Sequence, residues 1–445
     1  MSKEFTVSSN SALSPRRRPH RRSHRAVAVL ATAVLGAAVA LTGMPAQAVG
    51  SVGTAPSPAC DAPVPGSAAC LAQFRPIAVA ERLGLPATNS AGLAAAALAA
   101  RRGTPSATPA VAPPKQGYGP AEIKSIYTLD TSRGAGRTVA IVDAYDNPDV
   151  ERDLAAFRSA YGLAPCTTAN GCFRKVNQRG GSSAPEADAG WGVEIALDVQ
   201  AASAACPKCK LLLVEADSAS FGDLGKAVNR AVTIGAKIVS NSYDGMEGNG
   251  VVALGQKYYS HPGVAMVVSS GDAGFADAEF PSSWNKSISI GGTRAVKTKS
   301  GAWKETAWQG AGSGCSAWVA KPSWQKDRHC LKRTASDLSA VADPDTGFAV
   351  YDTYGLDQFG IKPGWLVVGG TSLSAPLIAG MIGLAGNASS LDSARYIYDH
   401  RGGLHDVGGG NNVWMTDCGG DYLCNALPGY DGPTGLGSPR GVSAL

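Results

Sequence analysis

From residue 138 onward the chain alternates short, almost wholly apolar runs with longer helix-like stretches, and this alternation restricts its fold more than any other feature. Runs at 138–142, 210–214, 237–240, 264–269, 287–290 and 365–368 read as strands, and 151–160, 193–204, 221–234, 252–259 and 375–384 read as helices. A strand with one wet face alternates polar and apolar residues. These do not, so both faces must be covered. The expectation is an α/β fold, a mainly parallel central sheet flanked by helices on both faces, forming one domain over 117–445 with a long irregular stretch before the last strand. In such sheets chemistry gathers beyond the carboxyl ends of the strands, where the sequence puts Asp143, Ser242, Asp272 and Ser372.

The amino end is of another kind. Seven basic residues and a single acid precede an apolar run at 26–41, followed by Ala46-Gln47-Ala48. A positive region, an apolar core and a small-residue cleavage site together predict a secretory signal peptide over 1–48. The net charge of +5 resides there, so the rest of the chain has no positive excess. Nucleic-acid binding needs a basic patch on the folded domain and is excluded as a function class. After signal removal no membrane association is expected, and the product is a secreted, extracellular monomer. Residues 49–116 are Ala-rich and end in a Pro/Ala-rich run, which reads as a short propeptide and linker. Ten cysteines fall into five successive near neighbours, which predicts local disulfides in an oxidising compartment. Cys206-Pro-Lys-Cys209 lacks a second ligand pair for zinc and reads as a small closed loop.

Ser372 lies in Gly369-Gly370-Thr371-Ser372-Leu373-Ser374-Ala375-Pro376, where a strand breaks and a helix begins with Pro376 placed in its first turn. A hydroxyl there faces the positive end of the helix dipole, although an ordinary N-cap has the same appearance. A serine nucleophile needs a base, and none of the six histidines stands in a helix start of the His-Gly-x-His kind. Glu194 and Asp198, four apart on one helix face, offer a carboxylate base and a partner. If shielded from water they share a proton; if not, they are two solvated acids. Asp272, in Ser-Gly-Asp-Ala-Gly, steadies an oxyanion only as a protonated donor, and it is otherwise a turn aspartate. Carboxyl base and carboxyl donor both point to action below neutral pH.

These three motifs, in this order, resemble the sedolisin family, the serine-carboxyl peptidases with a subtilisin-like fold. The resemblance covers 117–445. It implies a serine-type endopeptidase acting on protein or peptide substrates at acidic pH, with Ser372 as nucleophile, Glu194 as general base, Asp198 as its partner and Asp272 in the oxyanion hole. It further implies one structural calcium ion held by Asp406 and Asp431 with the carbonyls of Val407, Leu427 and Gly429 and with water.

Two features depart from the family. Residues 49–116 are few for a folded prosegment. Ser242-Tyr243 resembles the strand that pairs with substrate backbone, but Asp244 stands where glycine is usual and alters the specificity pocket. The alternatives are a non-catalytic secreted binding protein on the same fold and a histidine-dependent enzyme. Asp143 resembles a triad aspartate without its histidine and is expected to have at most a supporting role.

Overall fold

The computed structural model describes residues 56–75, 112–414 and 416–445; the expected signal peptide, and 49–55 and 76–111 of the expected propeptide and linker, lie outside the described residues. The amino-terminal piece forms three short strands, β1 (Ser57–Pro58), β2 (Ala69–Cys70) and β3 (Gln73–Arg75). After helix α1 (Pro120–Tyr127) the expected alternation begins. It runs β4 (Thr138–Ala144), α2 (Val150–Ala160), β5 (Phe173–Asn177), α3 (Ala189–Ala205), β6 (Lys210–Ala216), α4 (Phe221–Ile234) and β7 (Ile238–Asn241). Then come β8 (Tyr243–Asp244), α5 (Val251–Tyr258), β9 (Ala265–Ser269) and β10 (Ile288–Lys297).

The central sheet has the order β11-β10-β9-β7-β4-β6-β5, where β11 is Trp303–Ala307, and β14 (Leu338–Val341) lies beside β10. Every pairing is parallel except β10 with β11. The fold is therefore the expected subtilisin-like α/β arrangement, with seven parallel strands and flanking helices. Val139, Ala140, Ile141 and Val142 of β4 are all fully buried, which is why the strand reads as a continuous apolar run rather than an alternating one. Because β4 lies between β6 and β7, the chain changes direction across the sheet there. This opens a crevice at the carboxyl ends of β4 and β7.

Three expectations need correction. The stretch before the last expected strand is not irregular: it holds β11, the hairpin β12 (Gly314–Ala320) with β13 (Lys332–Ala335), β14 and β15 (Phe348–Asp352). The strand before Ser372, β16 (Gly364–Gly369), lies outside the central sheet, in an antiparallel sheet of order β1-β3-β16-β15. An apolar run cannot distinguish the two settings, because a partner on either side covers it equally well. β5 escaped notice because its sequence, Phe-Arg-Lys-Val-Asn, is half polar, as suits a sheet edge.

All ten cysteines pair as neighbours: Cys60–Cys70, Cys166–Cys172, Cys206–Cys209, Cys315–Cys330 and Cys418–Cys424. The Cys206 loop is thus a disulfide, not a zinc site. Among the described residues no helix is long and apolar enough to cross a membrane.

Candidate active site

Helix α3 carries the first two acids. Asp188 caps it by accepting the Trp191 N–H, and all 17 of its residues are buried. Glu194 and Asp198 are therefore not solvated acids: both have zero exposure. Burial is the largest cause holding each well above the usual carboxylate range, and the charge of nearby Asp143 adds to it. The Ser372 hydroxyl opposes that rise at Glu194, and the charge of Glu194 adds to it at Asp198. Asp143, at the end of β4, is also fully buried; neither of its oxygens has a partner, and burial pushes it up to about 8.

Ser372 enters from β16. The strand ends in two glycines, and helix α6 (Thr371–Ala385) starts at once, putting Ser372 in its first turn with no exposure. Gly370 has φ +105°, and a side chain there would strike the Leu71 carbonyl oxygen and Asp272 Oδ2. Pro376, expected in the first turn, lies further inside the helix. A proline there frees the carbonyl four residues back, which is that of Ser372. Ser242 Oγ covers it at 3.4 Å and donates to Asp198 Oδ2 at 2.7 Å. The Ser372 hydroxyl donates to the Ser242 carbonyl at 3.3 Å. Ser242, just after β7, thereby links Ser372 to Asp198, a role the sequence does not announce.

Asp272 follows β9 and Gly271. Its Oδ1 accepts the Thr371 N–H and Oγ–H, each at 2.8 Å, and burial pushes it up to about 7. Asp272 and Glu194 are close enough for the charge of one to raise the other. The fold thus brings Ser372, Glu194, Asp198 and Asp272, drawn from three elements far apart in sequence, to one crevice.

The segment 56–75 runs through that crevice. β2 pairs antiparallel with β8, Ala69 opposite Asp244 and Cys70 opposite Tyr243. Next, the backbone N–H groups of Leu71 and Ala72 donate to Glu194 Oε2 at 2.9 and 2.7 Å. Gln73 Nε2 donates to Asp272 Oδ2 at 3.1 Å. β3 then pairs with β16, Gln73 opposite Gly369. The Cys60–Cys70 bridge and the Ala59 N–H to Ala72 carbonyl bond close the segment on itself. Ala59, Ala68, Cys70, Ala72 and Phe74 join the main apolar core. The only sequence signal was the Cys60/Cys70 spacing, which gives no hint of the destination.

At the carboxyl end Asp431 is fully buried, its Oδ1 accepting from Thr434 and its Oδ2 unpartnered. Burial first, and the charge of Asp406 further down, push it up to about 8. Asp406 is exposed and accepts the Gly429 N–H at 2.9 Å. Leu427 and Gly429 are exposed and Val407 is buried. A buried carboxylate oxygen without a donor, beside a second acid, fits a hard cation. The other metal-type grouping, Asp417 with Cys418 and Cys424, does not, because both sulfurs are in a disulfide.

Residues 188–395 match the subtilase family. Kumamolisin from Bacillus sp. (strain MN-32) is 27% identical over 367 residues, which cover 74% of this chain and 63% of that protein, less than two thirds of its length. Pseudomonas sedolisin, a serine-carboxyl proteinase solved with two molecules of pseudo-iodotyrostatin, is 29% identical with a TM-score of 0.58. It covers 73% of this chain and 96% of its own.

Proposed function

We propose that this chain, which belongs to the subtilase family and is sedolisin-like, is a secreted serine-carboxyl endopeptidase hydrolysing peptide bonds of proteins at acidic pH. The observation that carries the reading is the burial of Glu194 and Asp198 against the Ser372 hydroxyl, with no histidine in the cluster. Two acids four residues apart in a fully buried helix are costly unless they do something.

Ser372 Oγ attacks the substrate carbonyl carbon while Glu194 takes its proton, and Asp198 shares the resulting charge and proton load. Asp272, protonated below about 7, donates to the oxyanion. Glu194 returns the proton to the leaving amine, and the acyl group stays on Ser372. Water, deprotonated by Glu194, then releases it. Calcium would be held by Asp406 and Asp431 with the carbonyls of Val407, Leu427 and Gly429, where it supplies charge neutralisation to a carboxyl-terminal loop rather than chemistry.

Residues 1–48 serve as signal, in keeping with five disulfides, and 49–116 as propeptide. The segment 56–75 holds the cleft closed by giving two amides to the general base. The test is digestion of a denatured protein at pH about 4, where a shared proton is present in a coupled carboxyl pair. Cleavage lost in Ser372→Ala supports the reading, and cleavage equal in that variant removes it.

A further inference from the structure

The acyl side of the cleft holds two carboxylates that the proposed chemistry leaves unused. Asp244, in β8, is only 3% exposed, and its Oδ2 is buried without a hydrogen-bond partner. A Cβ on Gly271, the residue before Asp272, would lie 2.6 Å from Asp244 Oδ2 and 3.0 Å from Glu279 Oε2. The two acids therefore meet at that glycine, whose φ of +109° and missing side chain leave a slot beside the oxyanion position. Burial first, then the charge of Glu279, hold Asp244 well above the usual carboxylate range. Among the described residues no lysine, arginine or histidine forms an ion pair with either acid.

The segment in the cleft shows which substrate residue this pair of acids faces. In an antiparallel ladder, directly opposite residues share a face and successive residues alternate. Cys70 and Tyr243 face α3: the Cys70 sulfur lies against the Gly190 carbonyl, and Tyr243 lies against Trp191. Ala69 and Asp244 take the other face, and Leu71, two residues beyond Ala69, returns to it. The Leu71 carbonyl lies at Gly370 beside Asp272 Oδ2, so Leu71 occupies the position of the residue that donates the acyl group.

We infer that Asp244 and Glu279 form the pocket for the acyl-side residue of the substrate and select lysine or arginine there. The inference rests on the peptidase reading above. A cationic side chain gives Asp244 Oδ2 the donor it lacks and sets a positive group against both acids, whereas an apolar one leaves that oxygen unmet. Leu71 is such an apolar residue, which suits a segment that fills the cleft without being a good substrate.

The full-length protein is held at pH about 4 until its cleavage of casein reaches a plateau, and Ser372→Ala serves as the blank. Two peptides that differ only in arginine or leucine before one bond are then compared. The arginine peptide should be favoured in kcat/KM by on the order of 10- to 100-fold, the scale of a buried polar group left unpaired. The double variant Asp244→Asn/Glu279→Gln should bring the ratio close to one, mainly through KM of the arginine peptide. Should that variant not fold, competition on the wild type replaces it: benzamidine should inhibit and uncharged benzamide should not. Equal cleavage of the two peptides, a preference that survives in the double variant, or equal effects of the two inhibitors each overturn the inference while the peptidase reading stands. Failure to cleave casein or either peptide above the blank overturns the peptidase reading and the inference with it.

Discussion

The acids around Glu194 and the pair Asp406–Asp431 both contain buried oxygens that no protein donor satisfies, yet they sit in different kinds of structure. Glu194, Asp198 and Asp143 project from a helix and a strand of the core, each with zero exposure. Asp431 is equally buried, but it lies in a loop whose neighbours Asp406, Leu427 and Gly429 are exposed. Inside the core burial keeps a hydrated ion away and holds the acids toward their protonated forms. In the loop a hydrated cation has access and oxygen atoms to bind. On the proposed function, one physical problem, an uncompensated carboxylate, receives a catalytic answer where the backbone is closed and a structural answer where it is open.

The sharpest test of this contrast is removal of charge from the core cluster. Glu194→Gln should lower kcat/KM at pH about 4 by roughly 1000-fold or more, because an amide cannot accept the proton. It should not lower the thermal midpoint at neutral pH, since the amide escapes the cost of a buried charge. An active variant would reduce the cluster to a structural oddity. Next in size is release of the cleft segment: Cys60→Ser/Cys70→Ser should raise the initial rate on a short peptide about tenfold, because the bridge limits the freedom of the loop it closes. An unchanged rate would show that the segment does not restrict access.

The pH dependence of stability comes third. Asp143 and Asp272 are raised when folded, to about 8 and about 7, so the folded state binds protons that the unfolded chain has already lost. Their contribution is complete below the ordinary aspartate value of about 4 and is lost as pH rises through the folded values. The thermal midpoint should therefore fall between pH 4 and 8, and Asp143→Asn should flatten the decline. Activity should also fall as pH passes about 7 and Asp272 loses the proton it donates. The smallest effect separates the two clusters directly. Chelating calcium should lower the midpoint by about 2–10 °C near neutrality and much less at pH 4, where Asp431 keeps its proton. Asp431→Asn should remove the response and leave peptide cleavage in place.

Much of the crevice was legible in the sequence. Glu194 and Asp198 are four apart, so a helix alone sets them on one face, and Ser372 follows a strand-to-helix break that glycines require. What could not be read was their burial, because exposure depends on what packs against a helix from elsewhere. The hydrogen-bonding roles of Ser242 and Thr371 escaped for a similar reason. Each acts through a hydrogen bond to a residue tens of positions away, and a lone hydroxyl residue carries no periodic signal. Asp244 showed in the sequence only as a charge in an unusual place, and its meeting with Glu279 at Gly271 is a matter of three segments converging.

The sequence by itself determined the layered α/β architecture, the neighbour-paired disulfides and the acids of the crevice, because apolar period, short spacing and helix pitch act within a few residues. Only the tertiary structure decided that β16 leaves the central sheet, that residues 69–73 lie across Glu194 and Asp272, and which carboxylates lose their water. Those outcomes depend on contacts between segments more than a hundred residues apart, and pairing and desolvation at that range leave no local mark on the chain.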